Sequence, residues 1–74
     1  MSNAANKNFA AAVKTVCSKC TGITADGIKH VEARTVAKSW PRTTHAEFTA
    51  ALKAASKDGL LTVVADGGSL WIVC

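Results

Sequence analysis

The stretch Thr44-His45-Ala46-Glu47-Phe48 sets the strongest limit on what this chain can fold into, because it carries a helix start that few other arrangements explain. In a Thr-x-x-Glu capping box the Thr hydroxyl accepts the backbone N–H three residues on, and the Glu side chain returns to the N–H of the Thr. Two donors that a helix N-terminus leaves unpaired are thereby satisfied. Phe48, Ala51, Leu52 and Ala55 follow at i, i+3, i+4 and i+7, an apolar stripe at helical period, while Thr49, Ala50, Lys53, Ser56 and Lys57 face elsewhere. Asp58-Gly59 closes the element, since Gly59 suits the left-handed position after a helix and Lys57 lies favourably at the negative end of the helix dipole. A helix over 44–58 is expected.

A hairpin is expected directly after it. Leu60-Leu61-Thr62-Val63-Val64-Ala65 and Leu70-Trp71-Ile72-Val73-Cys74 are rich in β-branched and large apolar residues, and Asp66-Gly67-Gly68-Ser69 lies between them. Either Asp66-Gly67 or Gly67-Gly68 can hold the turn centre. The two registers differ by two residues, so the side-chain faces are the same in both. Leu61, Val63, Ala65, Leu70, Ile72 and Cys74 share one face, expected to be the core face, and Thr62, Val64, Trp71 and Val73 share the other.

The first half of the chain supplies the support. Phe9, Val13, Val16, Cys17 and Cys20 fall on one stripe, with Lys7, Lys14 and Lys19 off it, so a first helix is expected from Asn3 or Ala4 to Cys20, stopped by Gly22. Thr21 to Gly27 reads as a connection with a turn at Asp26-Gly27, and Ile28-Lys29-His30-Val31 as a short strand. Ala33, Val36, Ala37 and Trp40 recur at helical spacing from about Glu32, and the helix should end at Trp40 because Pro41 disfavours helical geometry in the residue before it. Pro41-Arg42-Thr43 is then a tight turn between two helices.

With 74 residues the chain makes one domain, 1–74, with a small core, and its 49% hydrophobic content is in keeping with a compact fold. A net charge of +4 favours an anionic partner, nucleic acid first. No apolar run approaches the roughly 18 residues of a membrane span. Lys7 and Lys14 flank the apolar Phe9–Val13 stretch, so a signal peptide is not expected. Three cysteines without that signal imply reduced thiols and an intracellular location, in cytoplasm, nucleoid or nucleus.

Cys17 and Cys20 form a C-x-x-C with three readings. A thioredoxin-like redox pair wants its first Cys at a helix N-terminus, where the dipole lowers the thiol pKa, whereas these two fall at a helix end. A zinc site would have to recruit two of His30, His45 and Cys74, at spacings that match no finger pattern. As part of the apolar face of the first helix the pair fits the periodicity best. No G-x-S-x-G, phosphate-binding Gly-rich loop or standard metal motif is present, so neither catalytic residues nor a cofactor or metal are expected.

Phe48-x-x-Ala51-Leu52-x-x-Ala55 running into Lys57-Asp58-Gly59-Leu60-Leu61, behind a helix and a tight turn, resembles the winged helix-turn-helix superfamily. The resemblance covers nearly the whole chain and implies an α+β fold of three helices followed by a two-stranded wing. Ser69-Leu70-Trp71-Ile72 is similar to the wing end of the Z-form nucleic-acid-binding domains, where a Trp at the place of Trp71 supports the contact. Those domains carry Asn and Tyr on the recognition helix where this chain has Thr49 and Lys53, and two prolines in the wing where it has Gly68 and Ser69. The resemblance therefore implies the fold and not the Z-form activity.

It also implies a function. The helix 44–58 would enter the major groove of double-stranded DNA, and the 65–70 wing tip would lie on the backbone, as in a transcriptional regulator. Arg42 and Lys53 would neutralise phosphates, Thr43, Thr44 and Thr49 would donate to phosphate or base, His45 would do either, and Gly67, Gly68 and Ser69 would allow close approach of the wing. Pairing into a homodimer is expected, because one module of this size buries little DNA interface. The alternative is a protein-interaction module whose partner covers Val64, Trp71 and Val73 on the outer face of the hairpin.

Overall fold

The computed structural model describes residues 4–74. Its elements run α1 (Ala4–Lys19), β1 (Ile23–Ala25), β2 (Ile28–Glu32), α2 (Ala33–Ala37), α3 (His45–Lys57), β3 (Thr62–Asp66) and β4 (Ser69–Val73). The architecture is α+β, with three helices against one antiparallel sheet of order β1-β2-β4-β3. This corrects the expectation of three helices followed by a two-stranded hairpin: the sheet has four strands, and two of them precede α2.

The capped helix forms as its sequence dictates. The Thr44 hydroxyl accepts the Glu47 N–H at 3.1 Å, and the Thr44 N–H donates to Glu47 Oε1 at 3.0 Å. Phe48, Leu52 and Ala55 are buried and Ala51 is half-buried. Gly59, with φ +75°, follows the C-cap Asp58. Beyond it, β3 and β4 pair as Val63 with Ile72, Val64 with Trp71 and Asp66 with Ser69, which places Gly67 and Gly68 at the turn centre, both at positive φ. Of the expected core face, Leu61 and Ile72 are buried and Val63 and Leu70 half-buried, while Ala65 and Cys74 are exposed.

The helix α1 presents Ala10, Val13 and Cys17 to the core, with Phe9, Val16 and Cys20 packed around them. The expected start at Asn3 lies outside the described residues, and the helix ends at Lys19, one residue short of Cys20. Its last carbonyls find a partner across the fold: the Lys29 ammonium donates to Cys17 O at 2.9 Å, a cation at the negative end of the helix. The α2 helix is shorter than its apolar spacing suggests. It ends at Ala37, and Ser39 and Trp40 continue as tightened turns whose N–H groups reach the carbonyls of Val36 and Ala37 three residues back. The tightening carries Trp40 between Phe9 and Phe48, with ring centroids 5.6 and 5.4 Å away. Phe9 and Phe48 are themselves edge to face at 5.6 Å. This aromatic trio joins α1, α3 and the turn after α2.

Ile28–Glu32 is a strand, as expected, and it pairs on both sides. The connection before it contains a further strand, β1, which makes Ile23–Ala25 and Ile28–His30 a hairpin about Asp26-Gly27. Gly22 permits this arrangement by close approach: a Cβ there would run into the carbonyl oxygen of His30.

Candidate functional site

Two surfaces gather the residues singled out in the sequence; a third hollow, of about 230 Å³ between α1 and the end of β4, is lined by Lys14, Cys17, Ser18, Ile72, Val73 and Cys74 and holds none of the expected site residues but Val73. The first is a cleft of about 110 Å³ between α2, the start of α3 and the hairpin turn, lined by Ala33, Arg34, His45, Thr49, Gly68, Ser69 and Leu70. It brings together four of the residues expected to contact DNA, His45, Thr49, Gly68 and Ser69, which lie far apart in sequence, and adds Arg34 from α2. His45, Thr49 and Lys53 stand at i, i+4 and i+8 on one stripe of α3, so Lys53 extends the line away from the cleft. Arg42 and Thr43 are exposed in the turn before α3, and Gly67 is exposed at the tip of the hairpin; none of these lines the cleft. Arg34 escaped sequence reasoning because an outward charge on an amphipathic helix carries no mark of what lies opposite it.

Thr44 has a different duty. Its hydroxyl accepts from the Glu47 N–H and donates to Glu47 Oε1 at 3.0 Å, so both of its hydrogen-bonding roles are taken by the cap. Those two bonds, from the Thr44 backbone and then from its hydroxyl, hold the Glu47 carboxyl below its usual carboxylate range. A carboxylate thus occupies the positive end of α3. An anion approaching this helix meets it, and any attraction must come from the side chains of Arg34, Arg42 and Lys53 rather than from the helix end.

The second surface is the outer face of the sheet. Cross-strand partners share a face, so the pairings Ile23–His30–Val73–Thr62 and Glu32–Trp71–Val64 define one side, opposite the core-facing row Val31–Ile72–Val63. Ile23 is 55% exposed, Ile28 46% and Val64 39%, while Trp71 and Val73 are half-buried. The Trp71 indole N–H donates to the Asp66 carbonyl at 3.3 Å, which ties the ring to the neighbouring strand of the hairpin. A shallow hollow of about 120 Å³ opens there, lined by Ile23, Ala25, His30, Val64, Asp66 and Trp71. Val64, Trp71 and Val73 were legible in the alternation of the hairpin. Ile23 was not, because β1 was read as part of a connection, and Ile28, though in an expected strand, had no partner strand to show which face it takes.

The cysteines are all free: Cys17 buried, Cys20 half-buried, Cys74 exposed. Burial, and then the neighbouring Cys74 thiol, push the Cys17 thiol up to about 12, which keeps it protonated at neutral pH and suits it to packing, not to nucleophilic attack. Among the described residues no group of three His, Cys, Asp or Glu side chains is placed to hold a metal ion, and no helix is long and apolar enough to cross a membrane. His30 turns its Nδ1 to its own strand, 2.9 Å from the Ile28 carbonyl. Against known proteins, the chain matches no family model, no curated protein and no solved structure.

Proposed function

We propose that this chain is a small DNA-binding protein of winged-helix type, with α3 offered to the major groove and the β3–β4 turn resting on the backbone. One observation carries the reading: His45 and Thr49 of α3, Arg34 of α2 and Gly68-Ser69 of the hairpin turn line a single cleft. Two helices joined by a tight turn and followed by a hairpin fit the same scheme, and the net charge of +4 supplies the general attraction. Phosphate contact falls to Arg34, Arg42 and Lys53, and base contact to His45 and Thr49. Occupation of paired half-sites by a dimer, and a role in transcription, extend the proposal.

The test is an anisotropy titration with random duplex DNA at two salt concentrations. Micromolar or tighter binding is expected at low salt, weakened in Arg42→Ala/Lys53→Ala. Arg34→Ala should flatten the dependence of log K on log salt by about one counterion, since each neutralised phosphate contributes a slope of roughly 0.9. Absence of binding at low salt sinks the reading.

A second reading is favoured by a different observation, the exposed apolar row Ile23, Ile28 and Val64 on the outer face of the sheet. In this reading the chain is a protein-interaction module whose partner covers that face, alone or together with DNA on the cleft. Association that is lost on Trp71→Ala and untouched by Arg34→Ala or Arg42→Ala/Lys53→Ala distinguishes it from nucleic-acid binding on the cleft.

A further inference from the structure

The sign of the charges on the outer sheet face narrows what can cover it. The strand register assigns to that face Ile23, Ala25, Ile28, His30, Glu32, Thr62, Val64, Asp66, Ser69, Trp71 and Val73. Glu32 and Asp66 are its acidic residues, and no Lys or Arg is among its members, although the chain carries nine. Lys29, the one Lys or Arg in the sheet, points to the other side, where it caps α1. An otherwise basic protein therefore keeps an apolar surface edged with carboxylates.

Phosphate is repelled from such a face, and an acidic peptide likewise. A basic apolar segment is attracted on both counts. The hollow beside Trp71 takes an aliphatic side chain, and the Asp66 carboxylate on its rim is positioned for a Lys or Arg of the same segment. We infer that the outer sheet face is a docking surface for a basic, apolar peptide segment of a protein partner, anchored by an aliphatic residue in the hollow formed by Ile23, Val64 and Trp71 and oriented by Asp66 and Glu32. This rests on the interaction-module reading and adds the chemistry of the partner. The hollow shares no lining residue with the Arg34–His45 cleft, Ser69 standing at the border between the face and the cleft, so the two surfaces can act together.

The experiment uses the full chain and short acetylated peptides with a common Ile-Leu-Ile centre flanked by lysines, by serines or by glutamates. The indole N–H signal of Trp71 is followed by NMR, with Trp40, held in the aromatic trio of the core, as internal reference. The lysine peptide is expected to shift Trp71 and not Trp40, and to bind at least tenfold more tightly than the glutamate peptide. Asp66→Lys should reverse that order while keeping the main-chain bond to the indole, and Asp66→Asn should reduce the preference without reversing it. If the serine or glutamate peptide binds as tightly as the lysine one, the basic-partner inference is overturned and the interaction module stands. If no peptide moves Trp71, both fall. A Trp71 shift that grows with protein concentration alone makes a second copy the occupant and overturns the inference.

Discussion

Thr44 is first of all a cap. As a hydroxyl at the front of α3 it stands where a DNA contact is expected, yet both of its hydrogen-bonding roles are spent on Glu47. Thr44→Ala is expected to lower stability by about 1 kcal/mol, the usual loss for a removed N-cap, measured by urea unfolding at neutral pH. The pH dependence follows from the direction of the Glu47 shift. A carboxyl whose pKa is lowered by folding stabilises the native state above its ordinary value near 4.5, and loses that contribution as pH falls through its folded value. The gap between the native chain and Thr44→Ala should therefore narrow in acid; a gap that is flat from neutral to acid pH would show that the reciprocal bonds do not form. This cap was plain in the sequence, because Thr and Glu at that spacing before an apolar stripe have few other uses. The positive charge of Arg34 at the cleft was not, because only the tertiary fold brings α2 against the hairpin turn.

At the level of elements, the parts that declared themselves were those with long, regular patterns. α1 and α3 each hold an unbroken helical stripe, and the β3–β4 hairpin alternates around a glycine turn. The elements that went astray are short. α2 was read through to Trp40 because a residue at i+7 keeps its place on the stripe even when the last turn tightens, and spacing alone does not separate the two geometries. β1 has only three residues, too few to show a period, although Asp26-Gly27 between Ile23-Thr24-Ala25 and Ile28-Lys29-His30 is itself a strong hairpin signal. Gly22 was read only as the stop of the first helix, whereas its lack of a side chain lets the chain pass against β2. A Cβ at this position meets main chain, which cannot rotate aside, so Gly22→Ala should displace β1 from β2 at a cost of about 1–3 kcal/mol, in the range of overpacked sites. Lower denaturant midpoint together with shifted amide signals in Ile23–Ala25 is the expected result, and unchanged β1 signals would refute it.

Across the whole molecule, the helices and the sheet divide the chemistry. The helical side holds the aromatic trio and most of the core, and carries Lys7, Lys14, Lys19, Arg34, Lys38, Lys53 and Lys57 on its exposed positions. The outer sheet side is apolar and edged with acid. Such a partition lets a small domain meet two partners of opposite charge without either competing for the other's surface. The sheet also fixes the order in which the domain can be assembled. β4, the last strand in the chain, lies between β2 and β3, so His30 waits for Val73 and Val31 for Ile72 before the middle of the sheet exists. Contacts this distant in sequence form only after the chain between them has been brought round, and they slow folding in proportion. A chain shortened by residues 69–74 keeps every helix yet lacks Ile72 and the two ladders that β4 makes with β2 and with β3. It should retain helical circular dichroism while losing its cooperative unfolding transition. Until Ser69–Val73 has entered between β2 and β3, the three helices have no completed sheet to pack on, so the domain gains its cooperativity in one late step, the closing of the sheet.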